Sequence, residues 1–92
     1  MKRIEWSKEK NKILQRSRNV CFEQIADIIN NNKAIHVIEH PNKQKYPNQK
    51  LLFVNINGYV YFVPFVEDDE KVFLKTIVPS RKATKKFIIK NK

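Results

Sequence analysis

The sequence predicts an α+β domain: two N-terminal helices packed on a four-stranded antiparallel sheet, with a short helix at the C-terminal end. Three observations carry this. The β-rich stretch 51–66 is split at Asn57-Gly58, which holds the only glycine of the chain. A two-residue hairpin loop requires positive φ at both central positions, which Asn and Gly adopt cheaply. A second break, Glu67-Asp68-Asp69-Glu70, separates that hairpin from another apolar run, so the three runs read as a meander. Upstream, Phe22, Ile25, Ala26 and Ile29 repeat at helical spacing, which gives one buried face.

The 92 residues form one domain, 1–92, with a modest core. A chain of this size buries roughly 60–68% of its unfolded surface and folds without staples. The single cysteine, Cys21, excludes an internal disulfide framework and reads as a packed thiol. Cys21, His36 and His40 do not make a metal-site spacing, so no metal or other cofactor is expected. No apolar run approaches the roughly 20 residues that span a bilayer. The basic start MKRIEWSKEKNK lacks the apolar region of a signal peptide. The expectation is a cytoplasmic, reduced protein with no membrane partner.

The net charge is +10, unevenly spread. Residues 1–33 carry eight basic and four acidic side chains, residues 34–79 five of each, and residues 80–92 six basic and none acidic. Such a surface attracts polyanions: nucleic acid, an acidic protein partner or an anionic membrane.

In chain order, Arg3-Ile4-Glu5-Trp6 alternates and reads as a brief edge strand. Ser7 is an N-cap for a helix through Arg18, with Glu9 in its first turn. Its main apolar positions are Ile13 and Leu14, and its basic residues surround most of it, so it lies on the domain surface. The second helix runs from Phe22 to Ile29 and stops at Asn30-Asn31-Asn32, since Asn accepts left-handed φ and competes for backbone hydrogen bonds. Residues 34–40 form the first strand of the main sheet. The polar loop 41–49, with two Pro-Asn pairs, is too long for a tight turn.

The two breaks set the expected register. Asn57-Gly58 pairs Ile56 with Tyr59, Val54 with Tyr61, and Phe53 with Phe62. A four-residue tip at 67–70 pairs Val66 with Lys71, Val63 with Leu74, and Phe62 with Lys75. One face then carries Leu52, Val54, Ile56, Tyr61, Val63, Phe65, Val72, Leu74, Thr76 and Val78 and faces the helices. The other carries Phe53, Asn55, Val60, Phe62, Phe73, Lys75 and Ile77, which is too apolar to be plainly solvated. It reads as covered by the C-terminal helix or as a ligand or partner face. Pro64 has no N–H to give a ladder and belongs at a bulge or a non-bonded position. Ser80 caps the last helix, and Phe87, Ile88 and Ile89 read as an anchor or docking patch.

The order of elements, with IEWSKEKN near the start, VCFEQI opening the second helix and IVPSRKATKK after the last strand, resembles the BrnT family of toxin–antitoxin toxins. The resemblance covers most of the chain, and Ser-Arg-Lys-Ala-Thr is its strongest signal. It implies a RelE-like fold and a small ribonuclease. It also implies a cognate antitoxin as partner, either ribbon-helix-helix or bearing an acidic segment, with RNA as substrate. Where the family carries an arginine in the last strand, this chain has Thr76 beside Lys75.

A ribonuclease of this kind attacks the substrate phosphate with the 2′-hydroxyl. It must hold the phosphate, stabilise charge at phosphorus and move two protons. Arg81 is the first candidate, because its planar fork holds two phosphate oxygens. Lys75, a cation on an apolar face, and His40 are the candidate proton-transfer groups. Lys50, Lys82, Lys85 and Lys86 are candidate phosphate contacts. Tyr46, Phe53 and Phe62 are candidates for stacking unpaired bases.

Each residue also has an ordinary reading. Arg81 caps a helix or pairs with the acidic tip, and Lys75 snorkels out of the sheet. His40 is a loop histidine, His36 is structural, and Phe53 and Phe62 are core under a cover. The alternative function is a non-catalytic RNA- or protein-binding module on the same fold, and a third reading is a degenerate toxin kept as a scaffold.

Overall fold

A computed structural model of the chain describes residues 2–89. The elements run β1 (Arg3–Trp6), α1 (Lys8–Arg18), α2 (Phe22–Asn30), β2 (His36–Glu39), β3 (Lys50–Ile56), β4 (Tyr59–Glu67), β5 (Lys71–Leu74), β6 (Val78–Pro79) and α3 (Arg81–Thr84). A π-helical turn, Lys85–Ile89, continues α3. The strands form one mixed six-stranded sheet, ordered β1-β5-β4-β3-β2, with β6 also on β4. No helix among the described residues is long and apolar enough to cross a membrane.

The expected four-stranded antiparallel sheet is therefore corrected in two ways. Arg3–Trp6 joins the sheet as an edge strand, parallel to β5. The third strand of the meander is split into β5 and β6. Pro64 gives the physical reason for the split. In an antiparallel hydrogen-bonded pair the two residues exchange both N–H···O bonds. Lys75 N–H donates to the Pro64 carbonyl at 2.8 Å, and Pro64 has no N–H to return. The strand ends at Leu74.

Pairing resumes with one extra residue on the C-terminal side. Phe65 faces Leu74, so a continuous ladder would set Phe62 opposite Ile77, whereas Phe62 faces Val78. A one-residue slip moves side chains to the opposite face. Ile77, expected on the second face, is fully buried in the helix-side core, and Val78 takes the position beside Phe62. The guanidinium of Arg18, at the end of α1, donates to the Ile77 carbonyl.

The Asn57-Gly58 register is as expected; Asn57 has φ 54° and Gly58 φ 86°. At the acidic tip the register slides by two residues, with Val66 opposite Phe73 and Glu67 opposite Val72. The Asp68 carboxylate accepts the N–H groups of Glu70 and Lys71 at 2.8 and 2.9 Å, so the turn closes around Asp68 and Glu67 stays in the strand. These backbone donors hold the Asp68 carboxyl below its ordinary range.

The core lies between the helices and one sheet face. Leu14, Phe22 and Ile25 pack with Leu52, Val54, Val63, Phe65 and Leu74. Trp6 stacks on Phe22, with ring centroids 5.7 Å apart. Ser7 caps α1, accepting from Lys10 N–H at 3.2 Å, while Ile13 remains 54% exposed. Buried Asn11 ties the helices together: it accepts the Phe22 N–H at 2.7 Å and donates to Glu23 at 2.8 Å. It thereby satisfies one of the free donors at the start of α2.

A basic groove over the second sheet face

Of the two readings of the second sheet face, a cover or an open face, the fold shows a partial cover. Ser80 caps α3, accepting from Ala83 N–H at 3.0 Å. Ser80 N–H donates to the Val60 carbonyl at 3.0 Å, continuing the β6 ladder by one residue. The Ser80 carbonyl is then taken by Thr84 N–H inside the helix, and the Val60 N–H goes instead to the Thr84 hydroxyl at 2.8 Å. This handover from ladder to helix seats Ala83 and Thr84, both buried, on the sheet over fully buried Val60.

Beyond that contact the helix stands away from β2 and β3, leaving an open groove of about 350 Å³. Two cross-strand rows of this face run beneath it, and only their β2 and β3 members and Phe62 line the groove. His36, Phe53, Phe62 and Val78 make one row. Ile38, Leu51 and Pro64 make the next, with Lys75 at its end. The Phe53 ring lies 6.3 Å from Phe62 and 5.6 Å from Phe87, which reaches in from the π-helical turn. Lys82 and Lys86, one helical turn apart, line the opposite wall, and among the described residues no carboxylate lines the groove. The Lys86 ammonium lies 5.4 Å from the Phe87 ring centroid, in cation–π range.

The structure thus brings together Phe53, Phe62, Lys82 and Lys86 from the expected set, and separates the others. Arg81 and Lys85 are exposed and do not line the groove; Arg81 makes no ion pair with the acidic tip among the described residues. Lys75 is exposed, its ammonium 5.3 Å from the Phe73 ring. It stands three strands from Ile38, or ~14 Å at the usual strand spacing.

His40 and Tyr46 pack on each other in the β2–β3 loop, with rings 4.5 Å apart, and the Lys45 ammonium is 5.4 Å from Tyr46. The His40 Nδ1 accepts the Asn42 N–H at 3.0 Å. Lys50 lies on the helix-side face opposite Phe65, bonded to Glu67 at 3.1 Å, so it does not converge with Lys75 and Arg81. Glu67 also binds Lys2 at 2.9 Å, and the two ammonium groups, Lys2 first, hold its carboxyl below the ordinary range.

His36 is the groove residue that the sequence presents as structural. Its pairing with Phe53 places it on the second face rather than in the core. Its alternation with Ile38 along β2 is the signal that could have found it. No family model, no curated protein and no solved structure matches the chain.

Proposed function

We propose that this chain is a metal-independent endoribonuclease toxin of a type II toxin–antitoxin pair, binding an unpaired RNA stretch in the groove between the sheet and the C-terminal helix. The observation that carries this is the pairing of an aromatic base, Phe53 and Phe62, with a lysine wall, Lys82 and Lys86, on the segment of the Ser-Arg-Lys-Ala-Thr motif. Aromatic rings stack unpaired bases, and cations hold the backbone between them. Arg81 and Lys85 extend the positive surface beyond the groove for further phosphates. The cognate antitoxin would neutralise the toxin with an acidic segment laid on this surface.

The test is to incubate the purified chain with single-stranded RNA and analyse the ends. Attack by the 2′-hydroxyl yields a 2′,3′-cyclic phosphate and a 5′-hydroxyl. RNA left intact, together with harmless expression in the absence of a partner, ends this reading. The separation of Lys75 from the His40 loop across the sheet favours a second reading, non-catalytic RNA binding, which predicts salt-sensitive association without new ends.

A further inference from the structure

We propose that His36, not His40, is the proton-transfer residue of this groove; this rests on the ribonuclease reading above. His40 has its Nδ1 engaged with the Asn42 N–H and its ring packed on Tyr46 within a loop. His36 stands on strand β2, and its exposed side chain makes no hydrogen bond among the described residues. Its ring lies 6.4 Å from Phe87, and its cross-strand partner is Phe53. Its charged neighbours lining the groove are Lys82 and Lys86, both from the C-terminal helix. Imidazole is the one side chain that ordinarily changes charge between about pH 5 and 8.

The groove, about 350 Å³, lies at the small end of the ~300–1,000 Å³ range of ligand sites. A base stacked against Phe53 and Phe62 leaves its ribose and phosphate at the rim, between His36 and the two lysines. The neutral imidazole takes the proton of the 2′-hydroxyl. The 2′-oxygen then bonds to phosphorus, the bond from phosphorus to the 5′-oxygen breaks, and the departing oxygen takes a proton from a water molecule, whose hydroxide takes back the proton held by the imidazolium. Lys82 and Lys86 hold the non-bridging oxygens throughout. A histidine on a strand is held more rigidly than one in a loop, which a proton transfer at hydrogen-bond range requires.

The experiment compares His36→Gln, His36→Phe and His40→Gln with the unmodified chain on one single-stranded RNA. It measures kcat, KM and the pH profile, with thermal melts as the fold control. Both His36 variants should lose about 10²–10⁴-fold in kcat, the size of a general acid–base contribution. Their pH profiles should lose the limb that a general base contributes to the unmodified chain. His36→Phe, which keeps an aromatic surface, should retain KM, and His40→Gln should keep both rate and profile. Folded His36 variants that cleave with the original rate and profile overturn the inference while leaving the ribonuclease reading intact. An unmodified chain that leaves RNA uncut ends both.

Discussion

The hydroxyl of Thr84 accepts the Val60 N–H at 2.8 Å and donates to the Ser80 carbonyl at 2.8 Å. One side chain therefore closes the ladder of β4 and fastens the first turn of α3. This divides the Ser-Arg-Lys-Ala-Thr motif by role. Ser80, Ala83 and Thr84 seat the helix, Lys82 lines the groove, and Arg81 is held outside it.

Thr84→Val keeps the shape and removes the acceptor, leaving a buried N–H unpaired, which costs about 1–3 kcal/mol. The urea midpoint should fall with an unchanged slope, and Thr84→Ser should recover most of the loss. A melt should show a drop of about 4–8 °C per kcal/mol for a domain of this size.

Asn11 joins the two N-terminal helices through both ends of its amide. Asn11→Ala leaves the Phe22 N–H without its partner and should destabilise by about 1–3 kcal/mol. The Asn11 hydrogen bond is also the first cause holding the Glu23 carboxyl below its ordinary value. NMR titration of Glu23 in the variant should therefore show it moving back up.

Arg18→Met removes the donor to the Ile77 carbonyl at the strand break. Hydrogen bonds from charged groups contribute about 1.5–3 kcal/mol, and the equilibrium loss should fall in that range. Faster amide exchange at Lys75 and Ser80, which flank the break, would locate the damage. Unchanged exchange at both would argue that Arg18 does not brace it.

Glu67 is clasped by Lys2 and Lys50, which ties the start of the chain to β3 and β4. Its carboxyl is held below 4.5. A carboxyl depressed by folding stabilises above its unfolded value and loses that contribution as pH falls through the folded one. Glu67→Gln should therefore be less stable than the unmodified chain at neutral pH, by no more than about 1 kcal/mol for so accessible a pair. The gap should close as pH falls below 4.5 and shrink in high salt.

Lys82→Ala and Lys86→Ala should each weaken RNA binding and reduce the salt slope by about 0.7 for each single-strand phosphate no longer neutralised. Lys50→Ala, on the opposite face, should leave the slope unchanged. Equal effects from all three would place RNA somewhere other than the groove.

Much of the local structure is legible in the sequence. Ser7 and Ser80 announce their helices because a cap acts within three residues. Asn57-Gly58 sets its register because positive φ is a property of those two residues. The acidic tip misleads by two positions because Asp68 folds its own carboxylate back onto the turn, which composition does not reveal. Pro64 is recognisable as unable to donate, but its consequence lies across the sheet, in the strand it faces. The slip at Ile77 follows from that pairing and not from any pattern within residues 71–79.

The candidate site divides in the same way. The basic end and the apolar second face are evident from charge and alternation. The partners of each lysine are not, because alternation assigns a face only when the register is known and the strand is unbroken. Turn chemistry, helix caps, charge asymmetry and an apolar face in need of a cover all follow from the order of residues alone. That α3 covers Val60 and leaves Phe53 and Phe62 open, that Lys50 belongs to Glu67, and that His36 lines the groove emerge only once the chain is folded. Caps and turns are local contacts with local causes. A groove is the space left between elements distant in sequence, and its lining depends on every register between them.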